Sequence, residues 1–302
     1  MRWRATTPRV TGSCGLVNPL SHHDLSCLKS LPGRPSFVAM SRRTLQLVVQ
    51  YDGEAFAGWQ RQPAQRTVQG SLEDALTRLT QTHIPAIGAG RTDAGVHALG
   101  QAVSVIVPSK WEPDSLRRAL NGVLPRDVRC ASVHAMTPDF HARYSAVERQ
   151  YRYLVGTDVD SGSPFRYNRE WPLGRAPSLD LLTSEAAALM GDHRFRAFAI
   201  KGTAPDDDAH RCDVRVCRWE LRPGGIAFVI AANRFLHHMV RFLVGTMVEI
   251  GTGRRAPGTI ADLLAAEHNR DVSPPAPACG LYLERVTYPV HLYLDSSQTA
   301  AA

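Results

Sequence analysis

TLQLVVQY, residues 44–51, places Leu45, Leu47 and Val49 on one side of an extended chain, with polar residues between them. An alternation of apolar and polar residues with a period of two predicts a β-strand with one buried face. The pair Asp52-Gly53 follows directly and is a turn signal. The stretch therefore predicts the first strand of a folded body that begins near residue 41.

Strand and helix patterns alternate through the rest of this body. Thr67 is a predicted N-cap, and apolar residues recur at helical spacing from Val68 to Leu79. The first half also contains predicted strands over 101–107 and 128–133 and a helix over 113–121. The second half contains predicted strands over 150–155, 214–221, 226–231 and 281–286, and helices over 178–190, 235–250 and after Pro257. We predict an α+β fold of two similar halves, 41–146 and 147–292, around a central cleft.

Both ends of the chain lack such patterns. Residues 1–40 are rich in Pro, Ser and Arg, and carry five basic residues against the single acidic Asp24. This leader accounts for +4 of the net charge of +7, so the body is only mildly basic. We predict that the leader is disordered, and is either a targeting segment or an upstream extension before a start at Met40. A disordered tail is predicted over 293–302.

Composition excludes several classes of protein. No apolar run approaches the roughly 20 residues that a membrane-spanning helix needs. The six cysteines are scattered without CxxC spacing, which favours a reducing, cytoplasmic setting and leaves any zinc site around Cys212 and Cys217 without a second half. The sequence contains no P-loop and no dinucleotide-binding fingerprint, so no nucleotide cofactor is predicted.

GRTDAGVH, residues 90–97, contains a carboxylate that has three interpretations. Asp93 can close a turn through its side chain, with Gly95 supplying a positive φ. It can ligate a metal together with His97, although no third ligand is nearby and Arg91 would repel a cation. It can also be a catalytic carboxylate, kept charged in a partly dry pocket by Arg91 or another guanidinium. The spacing of these residues leaves all three open.

A resemblance decides among them. GRTDAGVH resembles the signature of the TruA-type tRNA pseudouridine synthases, and the similarity extends from about Leu45 to Pro289. Further motifs occur in the order of that family: YDGEAFAGWQRQ at 51–62, DFHARYSA at 139–146, YRY at 151–153, HHMVR at 237–241 and GLYL at 280–283. The resemblance implies an antiparallel-rich mixed sheet core and the isomerisation of uridine to pseudouridine.

The resemblance also implies roles for individual residues. Asp93 corresponds to the essential aspartate of the family, and Arg241 to the arginine that pairs with it. Tyr151 corresponds to the aromatic residue that packs on the target base, and Leu281 to an apolar residue of the pocket wall. Arg91 corresponds to an arginine associated with displacing the target nucleotide. No metal and no cofactor are implied.

The implied substrate is tRNA, modified at positions 38, 39 and 40 of the anticodon stem-loop by a homodimer. Two alternatives remain: the same chemistry on another RNA, and an RNA-binding module without catalysis. His237 and His238 are predicted to be structural or adjacent to RNA rather than an acid-base pair, because histidines are common in helices for other reasons.

Overall fold

The structure of the protein is a computed structural model that describes residues 41–200 and 210–294. The strands are β1 Arg42–Tyr51, β2 Ile87–Gly88, β3 His97–Pro108, β4 Val128–Met136, β5 Glu148–Gly156, β6 Trp171–Pro172, β7 Gly191–Arg194, β8 Arg211–Arg222, β9 Gly225–Ala232 and β10 Leu281–Thr287. The helices are α1 Val68–Thr80, α2 Pro113–Val123, α3 Leu179–Ala187, α4 Met239–Gly251 and α5 Thr259–Ala265. None of the helices in these residues is long and apolar enough to cross a membrane.

All of these strands belong to one sheet. Its order is β4-β1-β3-β10-β5-β9-β8-β7, with β2 paired to β3 and β6 paired to β5. Only the pairs β10 with β3 and β6 with β5 are parallel, and every other pair is antiparallel. The expected α+β fold with an antiparallel-rich mixed sheet is therefore confirmed.

The core consists of two clusters of buried apolar side chains. One is built mainly on β1, β3, β4, α1 and α2, and the other on β5, β8, β9 and the three later helices. The C-terminal strand β10 lies between β3 and β5 and contributes to both clusters, through Leu283 to the first and Leu281 to the second. The boundary between halves at residue 146 stays a prediction, and the predicted leader lies outside the described residues.

The first strand differs from its prediction in one respect. Leu45, Leu47 and Val49 are fully buried, but Gln46 on the opposite face is only 2% exposed. His134 on β4 is the register partner of Gln46, and its ring packs edge-on against Tyr293. The segment after β10 thus covers a face that was predicted to be open. Tyr293 also bridges to β4, so the predicted disordered tail begins too early at 293.

The helix ends show where local signals suffice. Thr67 is the N-cap of α1 as predicted, and its side chain accepts a hydrogen bond from the backbone N–H of Gly70. Ser178 caps α3 in the same way, but α3 ends at Ala187, three residues before the predicted end. The predicted start of α4 at Phe235 is wrong by four residues, because His238 has a left-handed backbone with a φ of 62° and the helix begins only at Met239.

Candidate active site

The loop between β2 and β3 is held on both of its sides. The backbone N–H of Ala89 donates to the carbonyl of Ala102 at 2.8 Å, and the Gln101 side chain donates to the carbonyl of Gly90 at 2.8 Å. From the other side, the backbone N–H of Trp59 donates to the carbonyl of Thr92 at 3.0 Å. The backbone around Asp93 is therefore positioned by the strands and by the 51–62 segment.

Two glycines permit this close packing. Gly95 has a φ of +77°, as predicted, and is the third residue of a turn in which the Val96 N–H donates to the carbonyl of Asp93 at 3.2 Å. Gly58 has a φ of +98°, and a Cβ at that position would lie 2.7 Å from the carbonyl oxygen of Thr92. A side chain at Gly58 would consequently displace the loop that carries Asp93.

The carboxylate of Asp93 contacts residues 144 to 148 positions further along the chain. Its Oδ1 lies 3.1 Å from Nε2 of His237, and its Oδ2 lies 3.1 Å from Nε2 of His238. Nη1 of Arg241 donates to Oδ2 at 3.2 Å. A side chain that is engaged in this way does not serve the local turn, so the turn-closing interpretation of Asp93 is wrong: its backbone closes the turn while its side chain contacts the two histidines and Arg241.

Arg241 is fixed by hydrogen bonds with Ala276 in addition to its contact with Asp93. Its Nε donates to the carbonyl of Ala276 at 2.7 Å, and the N–H of Ala276 donates back to the Arg241 carbonyl at 3.0 Å. The side chain of Arg241 is 14% exposed and that of Asp93 is 19% exposed. The pair is thus shielded from most of the solvent, where charged hydrogen bonds are stronger than at an open surface.

The left-handed backbone at His238 explains how both histidines reach Asp93. A regular helix from Phe235 would separate adjacent side chains by about 100° around its axis, whereas the rings of His237 and His238 have centroids 4.3 Å apart. Burial lowers the pKa of His238, Arg241 and His237 lower it further, and Asp93 acts in the opposite direction. Burial thus favours the neutral ring of His238.

A cavity of about 370 Å³ opens beside the carboxylate. Its volume lies within the range of about 300 to 1,000 Å³ that is typical of small-ligand sites. Arg91, Asp93, His237 and His238 line it, together with residues of the 57–62 segment. The cavity therefore joins the loop after β2 to the turn before α4.

Tyr151 lies on β5. Its ring packs edge-on against Phe235, with centroids 5.0 Å apart and planes at 87°. Burial raises the pKa of Tyr151 to about 12, with Arg149 opposing and the charge of Asp93 adding to the increase. Tyr151 is thus a neutral phenol within the electrostatic range of Asp93, and it is not among the residues that line the cavity.

The other predicted site residues have different positions. Arg91 is exposed and lines the cavity. Leu281 is 6% exposed, belongs to the second apolar cluster and pairs with Tyr153 on β5, so it is not part of the cavity lining. The structure brings Asp93 and Arg241 into direct contact and leaves Leu281 within the core.

His97 does not form a ligand pair with Asp93. Its Nδ1 accepts a hydrogen bond from the N–H of Gly53 at 3.0 Å, and its Nε2 lies 3.1 Å from the carbonyl oxygen of Asn168. The potential metal ligands around Asp93 are instead His237 and His238, whose ring nitrogens and the carboxylate oxygen all lie within 4.8 Å of one another.

The contacts of His237 and His238 with Asp93 were not predicted from the sequence. In HHMVR these histidines precede Arg241 by only four and three positions. Given that Arg241 was expected to pair with Asp93, this spacing was a signal that the histidines also lie near the carboxylate.

Comparison with known proteins identifies the family of the chain. The tRNA pseudouridine synthase family profile matches residues 47–145 and 186–289. The chain is 43% identical over 249 residues to "tRNA pseudouridine synthase A" of Chlorobium luteolum, covering 82% of this chain and 96% of that protein. It is 42% identical over 257 residues to the protein of that name from Chloroflexus aurantiacus, covering 82% and 89%, and 40% identical over 249 residues to that of Moorella thermoacetica, covering 81% and 99%. The chain belongs to the tRNA pseudouridine synthase family of isomerases.

Proposed function

We propose that this chain converts uridine to pseudouridine at positions 38, 39 and 40 of the anticodon stem-loop of tRNA, with Asp93 as the catalytic group. The observation that carries the proposal is the carboxylate of Asp93, which borders a cavity of about 370 Å³ and accepts a hydrogen bond from Arg241 at 3.2 Å. Family membership supplies the reaction class, and the geometry supports the choice of residue.

The chemistry requires one well-placed carboxylate. The bond between N1 of uracil and C1′ of the ribose breaks, the uracil turns, and C5 bonds to C1′. C5 loses a proton and N1 gains one, so atoms and electrons balance without an oxidant or an energy source. Ionised Asp93 attacks C1′, attacks C6 of the ring, or removes a proton from the sugar, and Arg241 compensates its negative charge in each case.

The target uridine has to leave the base stack before it reaches Asp93, at a cost of a few kcal/mol. Arg91 is exposed at the edge of the cavity and supports this extrusion by filling the vacated place. Tyr151 then packs on the base, a contact worth about 1 to 3 kcal/mol in single-stranded RNA recognition. Leu281, whose register partner on β5 is Tyr153, contributes to the apolar wall of the pocket.

The tRNA substrate is recognised through shape and phosphate contacts rather than through base edges. Arg126 and Arg129 are exposed and line a second cavity of about 280 Å³, where they can contact the backbone of the stem. The protein acts as a homodimer in the cytoplasm, so that one tRNA contacts both subunits; sedimentation of the free protein and of its tRNA complex tests this stoichiometry.

The experiment that tests the function measures tritium release from tRNA labelled at uridine C5. Wild type releases tritium, Asp93→Asn releases none above background, and the control Asp262→Asn, at an exposed aspartate in α5, behaves as wild type. Binding of the same tRNA, followed by fluorescence anisotropy, stays within a few-fold of wild type for Asp93→Asn. An active Asp93→Asn protein would refute the catalytic role, and a wild type that binds tRNA without releasing tritium would support the non-catalytic alternative.

A second set of substrates tests whether positions 38, 39 and 40 of tRNA are the target. Transcripts in which positions 38, 39 and 40 carry no uridine lose tritium release if the anticodon stem-loop is the target. Undiminished release from these transcripts would move the activity to another site or another RNA.

A further inference from the structure

We propose that Asp93, His237 and His238 form a binding site for a transition-metal dication of the zinc type, whose occupancy blocks the active site instead of assisting the reaction. The binding part of this proposal depends only on the three side chains. The blocking part rests on the proposed function, since it requires Asp93 to be the catalytic group.

The ligand atoms already lie at the separations that such an ion needs. A tetrahedral zinc ion with bonds of about 2.0 to 2.1 Å holds its ligand atoms about 3.3 Å apart. The Asp93 oxygens lie 3.1 Å from the ring nitrogens of His237 and His238, and all three ligand atoms fall within 4.8 Å. Small rotations of the side chains would therefore complete three ligand positions, with the cavity supplying space for a water as the fourth.

The type of ligand selects the type of ion. Two imidazoles and one carboxylate suit Zn²⁺, Co²⁺ and Ni²⁺, whereas Mg²⁺ and Ca²⁺ prefer oxygen ligands throughout. His237 is 53% exposed and lines the cavity, so an ion has an open path to the site from solvent.

Arg241 opposes the binding of a cation, and this fixes the direction in which its removal should change the metal affinity. Its guanidinium lies 3.2 Å from Oδ2 of Asp93 and is held there by its second bond to Ala276. The site therefore binds metal reversibly and more weakly than its ligands would alone. Removal of the Arg241 charge should strengthen metal binding. The same change should weaken the binding of RNA and lower the stability of the site, so the two kinds of effect have opposite signs.

A bound dication would inactivate the enzyme for a simple reason. A carboxylate oxygen that shares its lone pair with a metal is no longer available to the nucleoside, and the ion occupies the space beside Asp93. Zinc should consequently inhibit pseudouridine formation, and a chelator should restore it.

The test titrates the full chain with Co²⁺ and follows the visible absorption that tetrahedral cobalt acquires with nitrogen and oxygen ligands. We expect one site in wild type, an affinity at least about 10-fold lower in Asp93→Asn and in His238→Gln, and a several-fold higher affinity in Arg241→Gln. The control His83→Gln replaces an exposed histidine outside the cavity and should match wild type.

Wild-type affinity in His238→Gln, or weaker binding in Arg241→Gln, would overturn the proposal. The histidines outside the described residues, such as His22 and His23, are present in every variant and so cancel from the comparison. Two ligand variants are used so that one misfolded protein does not decide the result, and circular dichroism checks each. A protein without any pseudouridine synthase activity would refute the proposed function while the cobalt titration still decides the metal site.

Discussion

The pair Asp93–Arg241 should stabilise the folded protein by an amount that can be measured without any RNA. The two charged groups are 3.2 Å apart, and their side chains are 19% and 14% exposed. At this distance the Coulomb attraction is about 5 kcal/mol at an effective dielectric constant of about 20. Lost hydration offsets part of this attraction, and we expect a net coupling of about 1.5 to 3 kcal/mol, as for other charged hydrogen bonds.

A double-mutant cycle isolates this coupling. The variants are Asp93→Ala, Arg241→Met and the double mutant, because Met retains most of the apolar stem of arginine. Arg241→Met also removes the bond to the carbonyl of Ala276, and Asp93→Ala also removes the contacts with the histidines. Each of these losses occurs in one single mutant and again in the double mutant, so it cancels from the coupling energy.

The free energies of unfolding come from urea titrations followed by tryptophan fluorescence. An exposed pair, Arg43 with Glu112, serves as the control: its atoms are closer, at 2.6 Å, but its side chains are 30% and 63% exposed. We expect the control cycle to give less than about 1 kcal/mol. A coupling below about 0.5 kcal/mol between Asp93 and Arg241 would refute the reasoning that burial strengthens this pair.

Three further changes should have measurable effects. Gly58→Ala should cost about 1 to 3 kcal/mol of stability, because φ is +98° and the new Cβ would meet the carbonyl of Thr92 at 2.7 Å. Activity should fall by more than the loss of folded protein accounts for, and an unchanged melting temperature would contradict the prediction. Tyr153→Phe should cost about 1 to 2 kcal/mol in urea unfolding, since the fully buried hydroxyl donates to a backbone carbonyl at 2.7 Å. The hydrogen bond from Arg66 lowers the pKa of Asp127, so the stability that Asp127 contributes should be present above about pH 4 and be lost as the pH falls through its folded pKa. The difference between wild type and Asp127→Asn should be only about 0.5 to 1 kcal/mol near neutral pH, because the pair is partly exposed, and a difference that grows on acidification would reverse the argument.

The strands were predictable wherever a local pattern reports burial. Residues 44–51 alternate because the apolar side chains of β1 enter the first cluster, and 226–231 are apolar throughout because both faces of β9 are buried. The strands β6 and β7 contain only two and four residues, too few to show a period. The parallel pairing of β10 with β3 joins segments far apart in the chain, and nothing in the local sequence of either strand specifies it.

The start of α4 shows how a site overrides a local pattern. Phe235 and Leu236 continue the apolar periodicity of the helix, so the pattern predicts a start at Phe235. In the structure, His238 adopts a left-handed backbone and His237 contacts Asp93 instead. Such a backbone costs about 1 kcal/mol or more for a residue with a side chain, and the contacts of both histidines with the carboxylate offset this cost. Departures from local propensity are expected at functional sites for this reason.

The segment that leads into β10 contacts both Arg241 and the loop that carries Asp93. Ala276 exchanges a backbone hydrogen bond with Arg241 and accepts one from its side chain. Two residues later, Ala278 lies against the loop that carries Asp93, since a Cβ added at Gly95 would be 3.3 Å from the Cβ of Ala278. The strand then runs parallel to the start of β3, directly after that loop. A single short segment therefore contacts the guanidinium of Arg241 and the loop that carries Asp93. A change that shifts this segment should alter the distance between carboxylate and guanidinium without replacing either charged residue.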